Sequence, residues 1–296
     1  TVKDKNILLE AHSKLASLYY NSDQFNASRL NTKKAISIAK SINNLKRLSL
    51  LYMLLGYLDR ANRDKSLINF KKGLIVAKKI NYDEGIYKLL SGIAKLYRKE
   101  GDTLKALETY KEALLHGNKT KSNLNILTNN IGVLYLTQQK DSALHYFKKS
   151  LQLSEKINSD IGKCLAHTNL GHTYLRYDVT EYPKALYHLK EAEKLVIDKK
   201  NSRYLYYINF YLGLYYQKTD NSILAEKYYQ KVLNSSAGEK DIVQQIKALK
   251  QIANFYESQA KFNIALKYEK QYRTLKEEFY SLEKLWEIGA DRKQAL

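Results

Sequence analysis

Proline and cysteine are nearly missing from this chain of 296 residues, which contains one of each, Pro183 and Cys164. Because proline breaks helix interiors, its near absence favours long helices throughout. A single cysteine excludes an internal disulfide and any zinc site built from several cysteines. No apolar run approaches about 18 residues, the length that a membrane-spanning helix requires. The chain starts at Thr1 without a signal-like segment, so we expect a processed or excised piece whose localisation, cytoplasmic or periplasmic, stays unknown.

Acidic residues are scarce beside basic ones, with 30 Asp and Glu against 50 Lys and Arg, a formal net charge of +20. Such an excess favours an acidic partner, such as nucleic acid, an anionic membrane or an acidic peptide. The lysines are scattered and form no long basic run, so a solvated lysine-rich surface is the simpler interpretation. Tyrosine is abundant instead, with 26 residues, and its ring and hydroxyl suit half-buried positions between helices.

Catalytic and metal-binding patterns are also missing. No two of the six histidines stand four residues apart, which excludes a helical histidine pair for a metal. The 12 glycines are dispersed and form no phosphate-binding loop. Cys164 stands between Lys163 and Leu165 with no identifiable partner, so we expect a packing residue. The sequence therefore predicts no enzyme activity, no cofactor and no metal site.

One pattern recurs seven times: a large apolar residue followed by Gly or Ala, usually with Tyr three positions further on. These pairs are Leu15-Ala16, Leu55-Gly56, Ile93-Ala94, Ile131-Gly132, Leu170-Gly171, Leu212-Gly213 and Ile252-Ala253. A second small residue follows each pair, at Ser28, Ser66, Ala106, Ala143, Ala185, Ala225 and Ala265. Small residues allow two helices to approach closely, so each unit is predicted to be an antiparallel pair of helices, A and B.

The pattern divides the chain into seven predicted repeats and a C-terminal helix. The repeats lie near 6–42, 43–81, 82–120, 121–158, 159–200, 201–240 and 241–272, and the helical extension covers 273–296. Turn and cap signals stand between the paired helices, as at Gly101-Asp102 and at Pro183, which suits a first helical turn. Short polar links such as Lys79-Ile80-Asn81 join one pair to the next.

The segment Ile93-Ala94-Lys95-Leu96-Tyr97, with Gly101, Ala106, Tyr110 and Ala113, resembles the tetratricopeptide repeat motif. The resemblance covers essentially the whole chain, although the period here is longer than the usual repeat. The longer variety is similar to bacterial peptide-pheromone receptors and to repeat-containing sensor kinases and regulators. The resemblance implies an all-α, right-handed superhelical solenoid of about seven repeats. It also implies a scaffold that binds a protein or an extended peptide, as the sensing or interaction region of a bacterial signalling or regulatory protein.

By the same resemblance, the faces of the A helices line a groove along the array. Side-chain amides there can pair with a peptide backbone, and flanking Lys and Arg can hold a carboxylate. We expect a ligand along repeats 3 to 6, although ordinary hydrated helix-face residues would produce the same pattern. The candidate groove residues are Lys88, Lys95, Arg98, Asn129, Asn130, Thr168, Asn169, His172, Arg176, Tyr207, Phe210, Leu214, Lys250 and Asn254.

Nucleic-acid binding through the basic surface is the alternative. Helical repeats that read RNA bases need regular side chains at fixed positions. The residues that follow the first small residue show no such regularity, which disfavours this alternative. They are Ser17, Tyr57, Lys95, Val133, His172, Leu214 and Asn254.

The C-terminal extension carries an apolar stripe with the three-four spacing of a helix seam. It consists of Tyr272, Leu275, Phe279, Leu282 and Trp286. The stripe either caps the last repeat or pairs with a second copy of the chain as a homodimer. Its length of about two heptads is marginal for a free-standing coiled coil and favours capping.

Overall fold

The computed structural model describes residues 2–120, 123–177, 179–196, 202–234 and 242–292. Side chains are described for these residues apart from 202, 203, 243, 244, 280 and 282–292. The described part contains fourteen α-helices, a short 3-10 turn at Val179–Glu181 and no strand, which confirms the predicted all-helical class. None of these helices combines the length and the apolar character that crossing a bilayer demands.

The helices follow one another in seven pairs joined by short turns, as the seven repeats predicted. They are α1 (Val2–Asn21), α2 (Phe25–Ser41), α3 (Leu45–Leu58), α4 (Arg63–Lys79), α5 (Asp83–Lys99), α6 (Thr103–Lys119), α7 (Asn125–Tyr135), α8 (Lys140–Lys156), α9 (Asp160–Tyr177), α10 (Tyr182–Val196), α11 (Ser202–Lys218), α12 (Ser222–Leu233), α13 (Ile242–Ser258) and α14 (Phe262–Arg292). Residues 1–153 form one compact unit, unit 1, and residues 154–296 form a second, unit 2. Unit 1 contains α1 to α7 and most of α8, and unit 2 contains α9 to α14.

Every first and every second small residue of the pattern is buried. In four repeats the first is a glycine, and an aromatic or leucine side chain of the paired helix packs directly over it. Phe70 covers Gly56 in this way, and Leu189 covers Gly171. The absence of a side chain on one helix thus makes room for a large side chain on the other, which is the packing that the spacing predicted.

Two repeats have serine instead of alanine at the second small position, and the structure gives a reason. The Ser28 hydroxyl donates to the carbonyl oxygen of Ala16 at 2.7 Å, and the Ser66 hydroxyl donates to that of Gly56 at 2.7 Å. Both hydroxyls are buried, and each connects the two small residues of its own repeat. The first two helix pairs therefore have a polar bond at their closest approach in addition to apolar packing.

Asparagine ends several B helices in the left-handed conformation. Asn43, Asn81 and Asn158 have φ angles of 54°, 51° and 49°, respectively. Asparagine tolerates this region better than most residues. After Asn81, the Tyr82 amide donates to the carbonyl of Ala77 at 2.9 Å, which satisfies a free carbonyl at the end of α4. The predicted Lys-Ile-Asn links are thus helix terminators that turn the chain into the next A helix.

The last helix, α14, continues without interruption from the seventh repeat across the predicted boundary at 272/273. Tyr272 and Leu275 pack against the core cluster of unit 2 that includes Tyr229 and Phe255. This part of the stripe lies against the last repeat, and capping stays a prediction. The stripe residues Leu282 and Trp286 lie outside the described side chains, so pairing with a second copy stays a prediction.

Candidate functional site

A pocket of about 300 Å³ opens on unit 1. Its walls come only from the A helices α3, α5 and α7 of three consecutive repeats and from the residue two positions before α7. The lining residues are Met53, Tyr57, Tyr87, Lys88, Ser91, Lys95, Asn123, Ile126, Leu127 and Asn130. We call this the unit-1 pocket. It contains three of the predicted groove residues, Lys88, Lys95 and Asn130.

The basic residues of this surface differ in how they are neutralised. Lys88 forms an ion pair with Glu84 at 2.6 Å. Lys95 lies over the Tyr57 ring at 5.9 Å, and neither Lys95 nor Arg98 has a carboxylate partner in the described part of the chain. Although Lys95 is exposed, the surrounding protein lowers its pKa by desolvation, and the Arg98 charge lowers it further. The pocket therefore carries positive charge that unit 1 does not neutralise.

Two tyrosines lie beneath this basic surface. Burial, together with the neighbouring Tyr20 and Tyr110, raises the pKa of Tyr57 to about 12. Tyr110 is 0% exposed, and burial also raises its pKa to about 12. Arg98 lowers the Tyr110 pKa, by its charge and by its close approach to the hydroxyl, although the two groups fall short of strict hydrogen-bond geometry. Both hydroxyls stay protonated at neutral pH.

The two adjacent asparagines of α7 have different environments. Asn129 is 4% exposed and already interacts within the protein. Asn130 lines the unit-1 pocket, and its amide has no hydrogen-bond partner among the described residues. Asn130 is therefore the asparagine available to a ligand in this structure, while Asn129 is placed as a core residue.

An aromatic cluster occupies the corresponding A-helix face of unit 2. His172 stacks on Tyr211 with 4.2 Å between ring centroids, and Phe210 contacts Tyr211 edge to face at 5.6 Å. Burial first, and then the Arg176 charge, lowers the pKa of His172 to about 4, so the imidazole is neutral at pH 7. Its buried Nδ1 has no described hydrogen-bond partner. Tyr207 lies close enough to raise the Tyr211 pKa by its charge.

Several other predicted groove residues of unit 2 are less available to a ligand, because they are buried or already paired within the protein. Thr168 is 8% exposed, and its hydroxyl donates to the carbonyl oxygen of Cys164 at 2.8 Å. Lys250 is neutralised by Glu269 at 3.0 Å. Asn169 and Leu214 are half-buried, and Asn169 already interacts within the protein, whereas Asn254 is exposed. Their role in binding stays a prediction.

The apolar walls of the unit-1 pocket were not among the predicted site residues. Met53 and Tyr57 belong to the second repeat, ahead of the third repeat where the candidate list began. The sequence contained a signal for Tyr57, because it follows Gly56 in the same register in which Lys95 follows Ala94. No trio of His, Cys, Asp or Glu side chains in the described part is grouped for a metal ion.

No protein-family model and no curated protein matches the sequence. Solved structures do match its fold. The apo form of RapI superposes with a TM-score of 0.72 at 11% identity, over 92% of this chain and 99% of that one. A Rap conjugation gene regulator bound to the Phr* peptide gives 0.69 at 14% identity, over 94% and 76% of the two chains. A tetratricopeptide repeat protein from Parabacteroides merdae gives 0.59 at 17% identity, over 94% and 98%.

These similarities establish the fold as that of a tetratricopeptide-type helical repeat protein, which confirms the predicted resemblance. At such identities they establish the fold alone.

Proposed function

We propose that this chain binds an extended peptide, or an extended segment of a partner protein, and acts as the sensing or interaction part of a regulatory protein. The observation that carries the proposal is the unit-1 pocket, built from side chains of three A helices and from Asn123 just before the third. It combines an apolar wall, an amide without a partner at Asn130 and positive charge that the unit does not neutralise. These are the elements that fix a peptide's side chains, backbone and charged groups.

The structural neighbours support this direction. One Rap regulator was solved with the Phr* peptide and another Rap protein with competence and sporulation factor. A signal-transduction ATPase from Pyrococcus horikoshii has a tetratricopeptide repeat sensor, and this chain covers 45% of that protein. Each of these proteins pairs this fold with a ligand or a signal.

We further propose that the chain is a binding protein rather than an enzyme, although one neighbour is named an aspartyl phosphate phosphatase, from Bacillus subtilis. The polar groups of the unit-1 pocket are cations, two amides and hydroxyls. The Tyr57 hydroxyl stays protonated at neutral pH. This set can hold a ligand but contains no nucleophile paired with a base.

The test is retention of a random hexapeptide pool on immobilised protein, with bound peptides identified by mass spectrometry. We expect a subset of peptides to be enriched and the Asn130→Ala variant to retain it about tenfold less, since an amide that pairs with a peptide backbone makes two hydrogen bonds. Asn118→Ala is the matched control, because Asn118 is exposed on the B helix α6. No enrichment, or equal retention by both variants, would contradict the proposal.

A parallel measurement with a duplex DNA of random sequence addresses the alternative of nucleic-acid binding. We expect any binding to disappear at moderate salt, as for a nonspecific basic surface. Binding that survives salt and discriminates between sequences would favour the alternative instead.

A further inference from the structure

We infer that His167 of α9 and His188 of α10 form a two-histidine site for a divalent transition-metal ion such as Ni²⁺ or Cu²⁺. Their Nδ1 atoms lie 2.9 Å apart across the fifth helix pair. Water completes the coordination of the ion. The site lies between the two helices of one repeat and outside the unit-1 pocket, so the inference goes beyond peptide binding.

The two histidines occupy fixed positions of the repeat pattern. His167 stands four residues before Gly171, the first small residue of its repeat. His188 stands three residues after Ala185, the second small residue. The sequence criterion for a metal pair considered spacing within one helix, whereas these residues are 21 positions apart. The packing of α9 on α10 brings them together, just as it brings Leu189 over Gly171.

The separation of the two nitrogens suits a chelated ion. With the metal–nitrogen bonds of about 2.0–2.1 Å that histidine makes, two ligands at a right angle lie about 2.9 Å apart, and tetrahedral ligands about 3.3 Å apart. The observed 2.9 Å matches the right angle, which is typical of tetragonal Cu(II) and Ni(II) sites. Imidazole nitrogen is also a ligand that suits both ions.

The first repeat has a hydrogen-bonded pair in the same two positions. His12 stands four residues before Ala16, and Asn31 stands three residues after Ser28. The His12 Nδ1 atom lies 2.9 Å from Oδ1 of Asn31, where the amide oxygen accepts the imidazole N–H. In the fifth repeat a second imidazole replaces the amide. The same position of the fold therefore supplies two nitrogen ligands there instead of one.

His167 is available as a metal ligand at neutral pH. Burial is the main cause that lowers its pKa, so the ring is neutral and can present a lone pair at Nδ1. The Glu191 and Glu155 carboxylates act on this pKa in the opposite direction, and their negative potential also favours a metal cation. Lys163 opposes them, but its ammonium is paired with Asp160 at 2.8 Å.

Aromatic rings hold the two imidazoles in place. The Tyr174 ring stacks on the His188 ring with 5.7 Å between centroids, and the Tyr187 ring meets it edge to face at 5.1 Å. Tyr187 also lies edge to face against His167, at 6.4 Å. Groups that orient the ligands in this way strengthen metal sites. Both histidines are only half-buried, so an ion can reach them from solvent.

The site has two protein ligands rather than three. Glu191 stands three residues after His188 on α10, but its carboxylate is paired with Lys194 at 2.7 Å. Within the part of the chain that the structure describes, no third His, Cys, Asp or Glu is grouped with the pair. We therefore expect an ion that exchanges with the solution, unlike the permanent ion of a four-ligand structural site.

The experiment titrates Ni²⁺ into the whole chain, prepared without an affinity tag, and measures the heat by calorimetry at neutral pH. We expect one ion per chain above the weak binding of single surface histidines. His167→Gln and His188→Asn should each weaken the affinity by about tenfold or more, since each removes one of two ligands. The double variant should bind scarcely more weakly than either single one, because a chelate needs both rings.

The first repeat provides the controls. His188→Asn reproduces the pair of His12 and Asn31, so this variant should fold normally. His12→Gln removes the corresponding imidazole of the first repeat and should leave the Ni²⁺ affinity unchanged. Ni²⁺ should raise the melting temperature of the wild-type chain and of His12→Gln but not that of His188→Asn. Melts without metal verify that each variant folds.

A second readout needs the wild-type chain alone. Ni²⁺ should protect His167 and His188 from diethyl pyrocarbonate, as measured by mass spectrometry, and should leave the exposed His145 reactive. Absence of both binding and protection would mean a hydrogen-bonded pair only and would refute the site. Binding that persists in both His167→Gln and His188→Asn, or that His12→Gln also loses, equally refutes it.

Discussion

Gly171 is the position where the helix-pair packing can be tested most directly. A Cβ atom added there would lie 2.6 Å from Cγ of Leu189, 2.9 Å from its Cδ2 and 3.1 Å from the backbone oxygen of Ala185. Only a change of the Leu189 χ1 rotamer moves Cγ, and a helix permits few such rotamers, while the carbonyl belongs to the α10 backbone. The Gly171→Ala variant therefore has to push α9 and α10 apart.

Two opposing effects determine how much the Gly171→Ala variant changes the unfolding free energy. Overpacking a close-packed contact costs about 1–3 kcal/mol of unfolding free energy. Replacing glycine by alanine within a helix returns about 1 kcal/mol through helix propensity. The single variant is therefore expected to lose only about 0–2 kcal/mol, which conceals the strain.

A double-mutant cycle that combines Gly171→Ala with Leu189→Ala reveals the strain between the two helices. Leu189→Ala alone should cost about 2–5 kcal/mol, because it removes a fully buried side chain. When residue 189 is alanine, the new Cβ at position 171 meets open space on that side. The Gly171→Ala change then keeps its favourable contribution from helix propensity. The coupling free energy should therefore be about 1–3 kcal/mol in favour of the double variant.

Urea unfolding followed by circular dichroism measures each free energy, and tyrosine fluorescence verifies that the transitions coincide. Gly101 is the control, because its φ is +82° and nothing lies within 4 Å of an added Cβ. Gly101→Ala should destabilise through backbone strain alone and show no coupling to Leu189→Ala. Additivity within about 0.5 kcal/mol at positions 171 and 189 would refute the packing argument.

Four further predictions concern single side chains. Ser66→Ala should lower the unfolding free energy by about 1 kcal/mol in thermal melts, since it removes the buried bond to Gly56, and an unchanged melt would contradict this role. His172 has a pKa of about 4 when folded and an ordinary value when unfolded, so only the unfolded chain takes up its proton as pH falls below about 6.5. The unfolding free energy should therefore drop by about 1–3 kcal/mol from that pH to about 4, and the His172→Gln variant should show a smaller drop. Burial raises the pKa of the Cys164 thiol to about 11, so a disulfide reagent at pH 8 should label it only in urea, and rapid labelling of the folded chain would contradict its burial. Leu275→Asp should lower the melting temperature without changing the sedimenting mass if this part of α14 caps unit 2, whereas loss of a dimer would favour pairing.

The fold was predictable because its determinants are short-range and repeated. A glycine or alanine on one helix and a large residue on the next meet at every repeat, as Gly56 and Phe70 do. Asparagine before the next helix start, as at Asn81, marks where helix B ends. Each signal is weak alone, but seven repetitions in phase define the helix pairs.

The site was less predictable because accessibility depends on neighbouring helices. Asn129 and Asn130 are adjacent in sequence, yet only Asn130 lines the pocket, while Asn129 is buried. Whether a basic side chain is neutralised also depends on neighbouring helices. Lys250 is neutralised by Glu269, 19 residues away on the next helix, which the groove register does not show.

The position that follows the first small residue shows how this fold separates stability from recognition. The small residue itself is fixed by contact with the paired helix, so its identity varies only between Gly and Ala. The next residue varies more widely, as Tyr57, Lys95 and Val133. Lys95 is exposed, whereas the Tyr57 ring also packs edge to face on Phe70 of the paired helix at 5.1 Å. In unit 1, Tyr57 and Lys95 line the same pocket as an aromatic wall and a cation. Because α3 and α5 are held by the same repeating contact, side chains 38 residues apart in sequence meet with a geometry that the repeat alone determines. A substitution of the exposed Lys95 should therefore change what the pocket binds far more than it changes stability, whereas a substitution of Tyr57 should change both.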